Sequence, residues 1–342
     1  MRHRPTVAAT ALLLVASFGA SACAGSDDPG DVSEPESLLT FPDAEPGQIV
    51  GLVAVEGDDG PVAVEWLDRL EGTVHRLELA DDAEPEVVAT IPVGTDDDQR
   101  GLLGQVVLDG RRFAAWTQPD TYEFVVGEIV DGAPGPIVFS AGEASGGAVG
   151  GVLREIDGDI LLGLGRNTGF DRESGIGGTM LVIDPDGTVD TEPRVVSEGY
   201  TNPWAFAVVD DTEIWVADNA AGEDPATGQE DIERIGRADL LEDRADMTRI
   251  VEEGRAPTAM IELTDGRLGI CGFLDDELRA YEVVDGEDAD PTNPATIDVP
   301  RSELRRAGSI MPCLTAATIF DDGTIVTVAI TDVGQELLIR RS

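Results

Sequence analysis

GYTNPWAFAVVDDTEIWVAD, which runs from Gly199 to Asp218, places two short β-rich runs on either side of an Asp-Asp turn. Three other phrases precede it: GGTMLVIDPDG at Gly177–Gly187, GGVL at Gly150–Leu153 and QRGLLG at Gln99–Gly104. Each phrase joins a short apolar run to glycine or another turn residue, which is typical of strands connected by tight turns. The four phrases therefore predict an all-β chain.

The remainder of the chain repeats this pattern of short strands and turns. Four runs precede the phrases, at Ile49–Val55, Val62–Trp66, Thr73–Leu79 and Glu86–Ile91. Four antiparallel strands joined by tight turns make one propeller blade, and similar groups recur about every 45–50 residues. We predict an all-β propeller of four-stranded antiparallel blades, for which the length alone allows six or seven blades. Ile232–Met247 is the best candidate for a helix.

The first 22 residues have the features of an export signal. Met1–Arg4 is basic, Val7–Phe18 is apolar, and small residues precede Cys23, which is the order of regions in a signal peptide. Ala20–Cys23 resembles a bacterial lipobox, in which the cysteine becomes the lipidated first residue. The alternative is an ordinary signal peptide with an incidental cysteine. We expect an extracytoplasmic protein that is anchored through lipid at Cys23 to the outer face of the bacterial cell membrane.

Residues 23–46 are rich in Ser, Asp, Glu, Pro and Gly and contain few large apolar side chains. Such a segment buries too little surface to offset the entropy that it loses on ordering, so we predict a flexible acidic tether. No second linker of this composition follows. Residues 47–342 are therefore expected to form one large all-β domain.

The charge balance is strongly acidic. The chain has 68 Asp and Glu residues against 23 Lys and Arg residues, a net charge of -45, and every one of those 23 cations is arginine. Nucleic acid is excluded as a partner because its phosphates would be repelled. Anionic lipid would be repelled too, so membrane attachment must come from the acyl chains. The acidity reflects either codon usage with adaptation to salt or a functional surface for cations.

Cys271 and Cys313 are the cysteines that remain after Cys23. Two cysteines in an exported protein predict a disulfide. Two unrelated buried thiols are the alternative.

The order and spacing of the four phrases resemble those of the quinoprotein glucose and sorbosone dehydrogenases, a family that includes the aldose sugar dehydrogenases. Two later segments, Arg255–Val283 and Thr315–Ile330, also resemble blades of that family. The resemblance extends from about Ile49 to the C terminus. It implies a six-bladed β-propeller that carries its site at one mouth of the central channel.

In that family a histidine accepts a proton from the sugar while hydride passes to pyrroloquinoline quinone (PQQ). Ala148 occupies the position that corresponds to this histidine. Alanine cannot accept a proton, and general-base catalysis typically contributes about 10²–10⁴-fold. His75, the one histidine after the signal, alternates with Leu77 and Leu79, which predicts a structural role on a packed strand face.

The family also holds the quinone with arginine and lysine side chains. Thr201 stands where the resemblance places an arginine, although Asn202 and Trp204 of the same phrase persist. Gln99 matches a glutamine in the pocket of some relatives, and it is equally consistent with an ordinary turn residue. We predict Gln99, Arg100 and Asn202 as cofactor-binding residues, and we expect Trp204 to lie in a blade core.

Calcium is the other cofactor that the resemblance implies. Glu230 and Asp231 match an acidic phrase of the family and lie in an acidic loop. Carboxylates suit a hard cation. Glu230 and Asp231 are therefore the predicted metal ligands.

Three functions follow from these observations. The first is a binding or scaffold protein that keeps the propeller without dehydrogenase chemistry and accepts a sugar or another small molecule. The second is an active PQQ-dependent sugar or alcohol dehydrogenase whose catalytic groups have moved. The third is a calcium-dependent, lactonase-like hydrolase.

Overall fold

The computed structural model describes residues 33–58, 60–80, 82–95, 99–144, 147–167, 169–170, 175–209, 213–219, 234–239, 244–246, 255–285 and 302–342. The predicted signal peptide with Cys23, and the predicted metal ligands Glu230 and Asp231, lie outside these residues.

The described residues form strands throughout. The first half contains β1 (Glu36–Phe41), β2 (Ile49–Gly57), β3 (Gly60–Asp68), β4 (Thr73–Glu78), β5 (Glu86–Thr90), β6 (Leu102–Leu108), β7 (Arg111–Thr117), β8 (Glu123–Val130), β9 (Ala133–Glu143), β10 (Gly150–Ile156), β11 (Asp159–Leu164) and β12 (Thr179–Ile183). The second half contains β13 (Arg194–Glu198), β14 (Ala205–Val209), β15 (Glu213–Asp218), β16 (Arg234–Asp239), β17 (Arg244–Asp246), β18 (Pro257–Glu262), β19 (Leu268–Gly272), β20 (Glu277–Asp285), β21 (Ser302–Pro312), β22 (Ala316–Ile319), β23 (Ile325–Thr331) and β24 (Gly334–Arg340).

These strands form six four-stranded antiparallel sheets. Five sheets follow chain order, from β2–β5 to β18–β21, and the sixth has the order β22-β23-β24-β1. The first strands of successive sheets contact one another in the series β2, β6, β10, β14, β18, β22 and back to β2. We call these six the inner strands. The architecture is an all-β propeller with four-stranded antiparallel blades, as the sequence predicted.

The prediction of a flexible tether over residues 23–46 is wrong for Glu36–Phe41, which forms a strand of the sixth sheet. β1 lies within residues 23–46, yet it pairs with β24 as the outermost strand of that sheet. An outermost strand needs few buried side chains because its main-chain hydrogen bonds supply much of its attachment. Here Leu38, Leu39 and Phe41 pack against the core, while Glu36, Ser37 and Thr40 are exposed. A polar composition therefore does not exclude a strand at this position.

Apolar side chains pack between neighbouring sheets. Phe113 and Phe124 of the second sheet share one buried cluster with Leu153 and Leu162 of the third. Full burial of one such side chain stabilises the fold by roughly 1.5–3 kcal/mol. The short apolar runs that predicted strands are thus also the contacts that hold the sheets together.

An ion pair joins the first two sheets where they face each other. Glu65 of β3 is only 2% exposed, and both of its oxygens accept hydrogen bonds from the Arg112 guanidinium of β7, at 2.5 and 2.9 Å. Arg112 also donates to Gln105, whose amide donates to the carbonyl of Gly51. This chain of bonds connects β2, β3, β6 and β7.

The predicted disulfide is confirmed. Cys271 at the end of β19 is bonded to Cys313, which follows β21, with their Cα atoms 5.4 Å apart. Both residues are buried. The bond therefore links the second and fourth strands of the fifth sheet near the segment that leads into β22.

The helix predicted over Ile232–Met247 is wrong. β16 and β17 occupy Arg234–Asp239 and Arg244–Asp246, and β16 pairs with β15 along its whole length. Pairing with a neighbouring strand outweighs a weak helical period in so charged a segment.

The described part of the chain contains no helix with the length and hydropathy that a membrane span requires.

Candidate functional site

A cavity of about 370 Å³ opens at the end of the channel where the inner strands begin. We call this end the upper mouth. Its lining includes amides, hydroxyls and two aromatic rings, contributed by residues that start or precede an inner strand and by nearby loops. The lining residues used below are Glu45, Arg69, Gln99, Asn202, Trp204, Asn219, Thr258, Phe273 and Thr315.

Gln99 and Asn202, two of the predicted site residues, meet in this cavity. The Gln99 side-chain oxygen accepts the main-chain N–H of Val149 at 3.2 Å and the Asn202 side-chain N–H at 3.5 Å. Asn202 is only 5% exposed, and its own oxygen, Oδ1, has no hydrogen-bond partner among the described residues. A β-carbon placed on Gly165 would lie 1.9 Å from the carbonyl oxygen of Ala148 and 3.1 Å from Asn202 Oδ1, so glycine is needed for the Ala148 main chain to pack here. The pair connects the loops that lead into β6, β10 and β14.

Asp218 fixes the loop that carries Asn202. It ends β15, is fully buried, and its carboxylate accepts the main-chain N–H groups of Thr201 (2.9 and 3.0 Å) and Asn202 (2.7 Å). A buried carboxylate that accepts several N–H groups holds them firmly. The persistence of the Asn-Pro-Trp phrase therefore has a local structural basis.

Arg69 is a lining residue that the sequence analysis did not identify. It follows β3, and its guanidinium donates to the carbonyls of Gly47 (2.9 Å) and Arg100 (2.7 Å). Both bonds tie the first sheet to loops around the mouth. No motif marks this position, because Arg69 is distant in sequence from the four phrases.

Arg100 does not line the cavity, in contrast to its prediction as a cofactor-binding residue. Its guanidinium donates to the carbonyl of Ala144 at 2.7 Å and lies 4.2 Å from the centre of the Tyr122 ring. The side chain is 8% exposed. Its charge serves the packing of the loop that follows β9.

Ala148 and Thr201 lie beside the amide pair. Ala148 immediately precedes Val149, and its backbone has a positive φ of 37°. Thr201 is held through its main-chain N–H by Asp218. Neither side chain carries a charge or a group that accepts a proton at neutral pH, so these two positions add no acid–base chemistry to the mouth.

The upper mouth is also lined by two aromatic residues, Trp204 and Phe273, and by two threonines, Thr258 and Thr315. Trp204 packs partly against the core and also lines the cavity, so the expectation of a core position alone was incomplete. The Thr258 hydroxyl donates to the carbonyl of Leu314 at 2.7 Å, and the Thr315 hydroxyl donates to the carbonyl of Ile49 at 2.6 Å. Position beside an inner strand is the signal that could have identified both threonines.

His75 lies in β4, two strands outward from β2, and is absent from the lining. Its ring stacks on Trp66 with centroids 5.2 Å apart, and its Nε2 lies 2.8 Å from the Thr73 hydroxyl. Burial lowers the pKa of His75, an effect that Asp68 partly opposes. These contacts agree with the predicted structural role.

The described residues provide no cluster of metal ligands. Within the described ranges, no group of three or more His, Cys, Asp and Glu side chains is placed to hold a metal ion. Of the described residues that line the upper mouth, Glu45 is the one carboxylate, and it is exposed at the rim.

Comparison with known proteins identifies the fold. No protein-family model and no curated protein matches the sequence. The structure is similar to the PQQ-bound aldose sugar dehydrogenase of Streptomyces coelicolor, with a TM-score of 0.58 and 16% identity over 90% of this chain and 98% of that chain.

Two other solved structures are comparably similar. The PQQ domain of the pyranose dehydrogenase of Coprinopsis cinerea has a TM-score of 0.57 and 13% identity over 91% of this chain and 97% of that chain. A putative gluconolactonase has a TM-score of 0.55 and 12% identity over 92% of this chain and 93% of that chain. Likeness at such identity establishes the propeller fold, which is shared by proteins of different activities.

Proposed function

We propose that this chain is a lipid-anchored, extracytoplasmic, six-bladed propeller that binds a neutral polyhydroxylated small molecule, such as a sugar, at the upper mouth without oxidising it. The six sheets and the closed series of contacts between inner strands support six blades. The lipobox-like Ala20–Cys23 supports the anchor.

The observation that carries the proposal is the amide pair Gln99–Asn202. Asn202 Oδ1 is a buried acceptor without a partner among the described residues. Leaving such an atom unbonded costs about 1–3 kcal/mol, and rotation of the Asn202 side chain toward the cavity would bring it within reach of a ligand donor. A sugar hydroxyl both donates and accepts. The surrounding Asn219, Trp204 and Phe273 supply a further amide and two apolar surfaces for the ring of such a ligand.

PQQ does not fit this lining. It carries several carboxylates, and a site for it needs converging positive charge. Among the described residues of the lining, Arg69 is the one cation, it already donates to two main-chain carbonyls, and Glu45 adds a negative charge at the rim. The chain contains no lysine. We therefore derive no chemical step through the quinone.

The upper mouth is also poorly suited to general-base catalysis. Oxidation of a hydroxyl requires a group that accepts its proton, and Ala148 occupies the position implied by the family resemblance. His75 lies in β4 and is not among the lining residues. These positions favour binding over turnover.

A titration with matched neutral and charged sugars tests this function. The mature chain is titrated with glucose, xylose and maltose, and with gluconate as the anionic counterpart of glucose. We expect neutral sugars to bind and gluconate to bind at least ~10-fold more weakly, because the net charge of -45 repels an anion. Asn202→Ala and Gln99→Ala should weaken sugar binding, while Gln118→Ala, outside the lining, should not.

Two results would contradict the proposal. One is tighter binding of gluconate than of any neutral sugar, and the other is unchanged affinity in Asn202→Ala. Sugar-dependent reduction of a dye after addition of PQQ and calcium would instead support an active dehydrogenase. Hydrolysis of gluconolactone with calcium alone would support the lactonase-like hydrolase.

A gain-of-function variant adds a sharper test of ancestry. Histidine enters the left-handed backbone region more readily than most residues, so Ala148→His is compatible with the positive φ at this position. Ala148→His/Thr201→Arg should acquire weak PQQ-dependent activity if the mouth descends from a dehydrogenase.

A further inference from the structure

A second cavity, of about 500 Å³, opens where the inner strands end. We call this end the lower mouth. Each of the six inner strands contributes to it, through Val53, Val107, Arg154, Val208, Ile261 and Ile319. The two linings share none of the residues that the structure describes. The two cavities are therefore separate sites on the same strands.

Arg154 distinguishes the lower mouth. Its guanidinium donates to the carbonyl of Leu153 at 3.1 Å and lies 5.9 Å from the centre of the Phe206 ring. Among the described residues, no carboxylate forms an ion pair with it. By contrast, Arg112, Arg255 and Arg267 each bind a carboxylate at 2.5–2.8 Å.

The surroundings make this guanidinium a site for an anion. Burial lowers the pKa of Arg154 to about 10, so the side chain remains a cation at neutral pH. A guanidinium presents several N–H donors in a plane that matches a carboxylate or sulfonate. A partly buried charge that has no carboxylate partner among the described residues gains more from an incoming anion than a fully solvated charge does.

The rest of the lining restricts the kind of anion. Five of the six strand contributions named above are aliphatic, so the wall suits an apolar tail. Glu155 and Glu262 stand at the same mouth and would repel a ligand with more than one negative charge. A cavity of this size lies within the usual range for small-molecule sites.

We propose that the lower mouth binds an amphipathic monoanion, with its carboxylate or sulfonate on Arg154 and its apolar tail against the aliphatic ends of the inner strands. This site differs from the upper mouth in place, in charge and in ligand class. It does not depend on the function proposed for the upper mouth.

Octanoate and octan-1-ol test this assignment, because they share a tail and differ in charge. Calorimetric titrations are made with the mature chain in about 150 mM NaCl, which screens the long-range repulsion of the acidic surface. We expect octanoate to bind at least ~10-fold more tightly than octan-1-ol, the factor expected of a charge-assisted hydrogen bond. Acetate, which lacks the tail, should bind far more weakly than octanoate.

Variants separate the charge from the fold. Arg154→Met should bind both ligands equally, and Arg154→Lys should retain part of the preference for octanoate. Arg267→Met, which removes an exposed arginine paired with Asp265, is the matched control and should behave as the wild type. Melting temperatures establish that each variant is folded, and Arg154→Met should not melt lower, since it removes a partly buried charge that forms no ion pair with a described carboxylate.

Three results would overturn the proposal: equal affinity for octanoate and octan-1-ol in the wild type, an undiminished preference in Arg154→Met, or loss of octanoate binding in Asn202→Ala. The last result would place the anion at the upper mouth.

Discussion

The two mouths of one channel differ in chemistry although the same six strands form both. At the upper mouth, Arg69 donates to main-chain carbonyls and the lining is rich in amides and hydroxyls. At the lower mouth, Arg154 has no carboxylate partner among the described residues and the lining is mainly aliphatic. The difference follows from where loops enter: long loops precede several inner strands, whereas short turns follow most of them.

The difference indicates that the residues lining one mouth of a propeller can change without altering the other mouth. Some side chains on the entering loops, such as Glu45 and Gln99, line the cavity and lie outside the buried clusters between the sheets, so they can change with the ligand. Residues at the ends of the inner strands also pack against neighbouring sheets, as Leu153 does. We therefore ask whether a substitution can weaken ligand binding at one mouth and leave binding at the other unchanged.

Loss of the disulfide is the largest expected perturbation. The bond closes a sequence separation of 42 residues, so Cys271→Ala/Cys313→Ala should lower the free energy of unfolding by about 4 kcal/mol in urea melts. Because Cys313 lies two residues before Thr315, sugar binding at the upper mouth should weaken while octanoate binding persists. Reduced wild-type protein is the control. Equal losses at both mouths would contradict the separation.

Removal of Glu65 should have the next largest effect. Glu65→Ala leaves the Arg112 guanidinium without its buried partner, which should lower the free energy of unfolding by about 3 kcal/mol. We take the low end of the range for such pairs because Arg112 is 21% exposed. The double variant Glu65→Leu/Arg112→Leu should recover most of that stability. Since Arg112 also holds Gln105, octanoate affinity at the lower mouth should fall more than sugar affinity. A double variant as unstable as the single one would disprove the account of this pair.

Asp218→Ala should affect the upper mouth alone. It removes the acceptor for the N–H groups of Thr201 and Asn202, at a cost of about 2 kcal/mol in unfolding free energy. Asn202 then loses its fixed position, so sugar affinity should fall and octanoate affinity should not. Asp186→Ala, an exposed carboxylate that pairs with Arg111, is the matched control and should change stability by less than ~1 kcal/mol. Unchanged sugar binding in Asp218→Ala would contradict this positioning role.

His75 should give the smallest effect, and only on stability. Because its pKa is lowered in the fold, the unfolded chain binds the proton more readily, and stability falls as the pH drops below the ordinary value of about 6.5. His75→Gln should lose less stability than the wild type between pH 7 and pH 5, by a few tenths of a kcal/mol, since the ring is half-buried. Sugar affinity should show the same pH dependence in both proteins. A difference in that dependence would place the imidazole in the site.

Local pattern was sufficient for most of the fold. The runs near Ile49–Ile91 became β2–β5, because strand pattern and turn residues agree there. β1 was missed since its partner, β24, lies almost 300 residues away, and nothing local records that pairing. The segment Ile232–Met247 was misassigned because its weak helical period is overridden by pairing with β15.

The site was only partly predictable. Gln99 and Asn202 were predicted from phrases that resemble the dehydrogenase family, and their side chains meet because both phrases lead into inner strands. Arg100 was misassigned because residue type does not reveal where a guanidinium points. Arg69 reaches the mouth from the end of β3, and Arg154 occupies the opposite mouth, so only the packing of the sheets reveals either role.

Calorimetric titration best tests whether the upper mouth binds a neutral sugar and not the quinone. The wild type and Asn202→Ala are each titrated first with the neutral sugar that binds most tightly and then with PQQ and calcium. We expect saturable 1:1 binding of the sugar that is lost in the variant, and no saturable binding of PQQ to either protein. Saturable 1:1 binding of PQQ to the wild type, followed by sugar-dependent reduction of the quinone, would contradict this expectation.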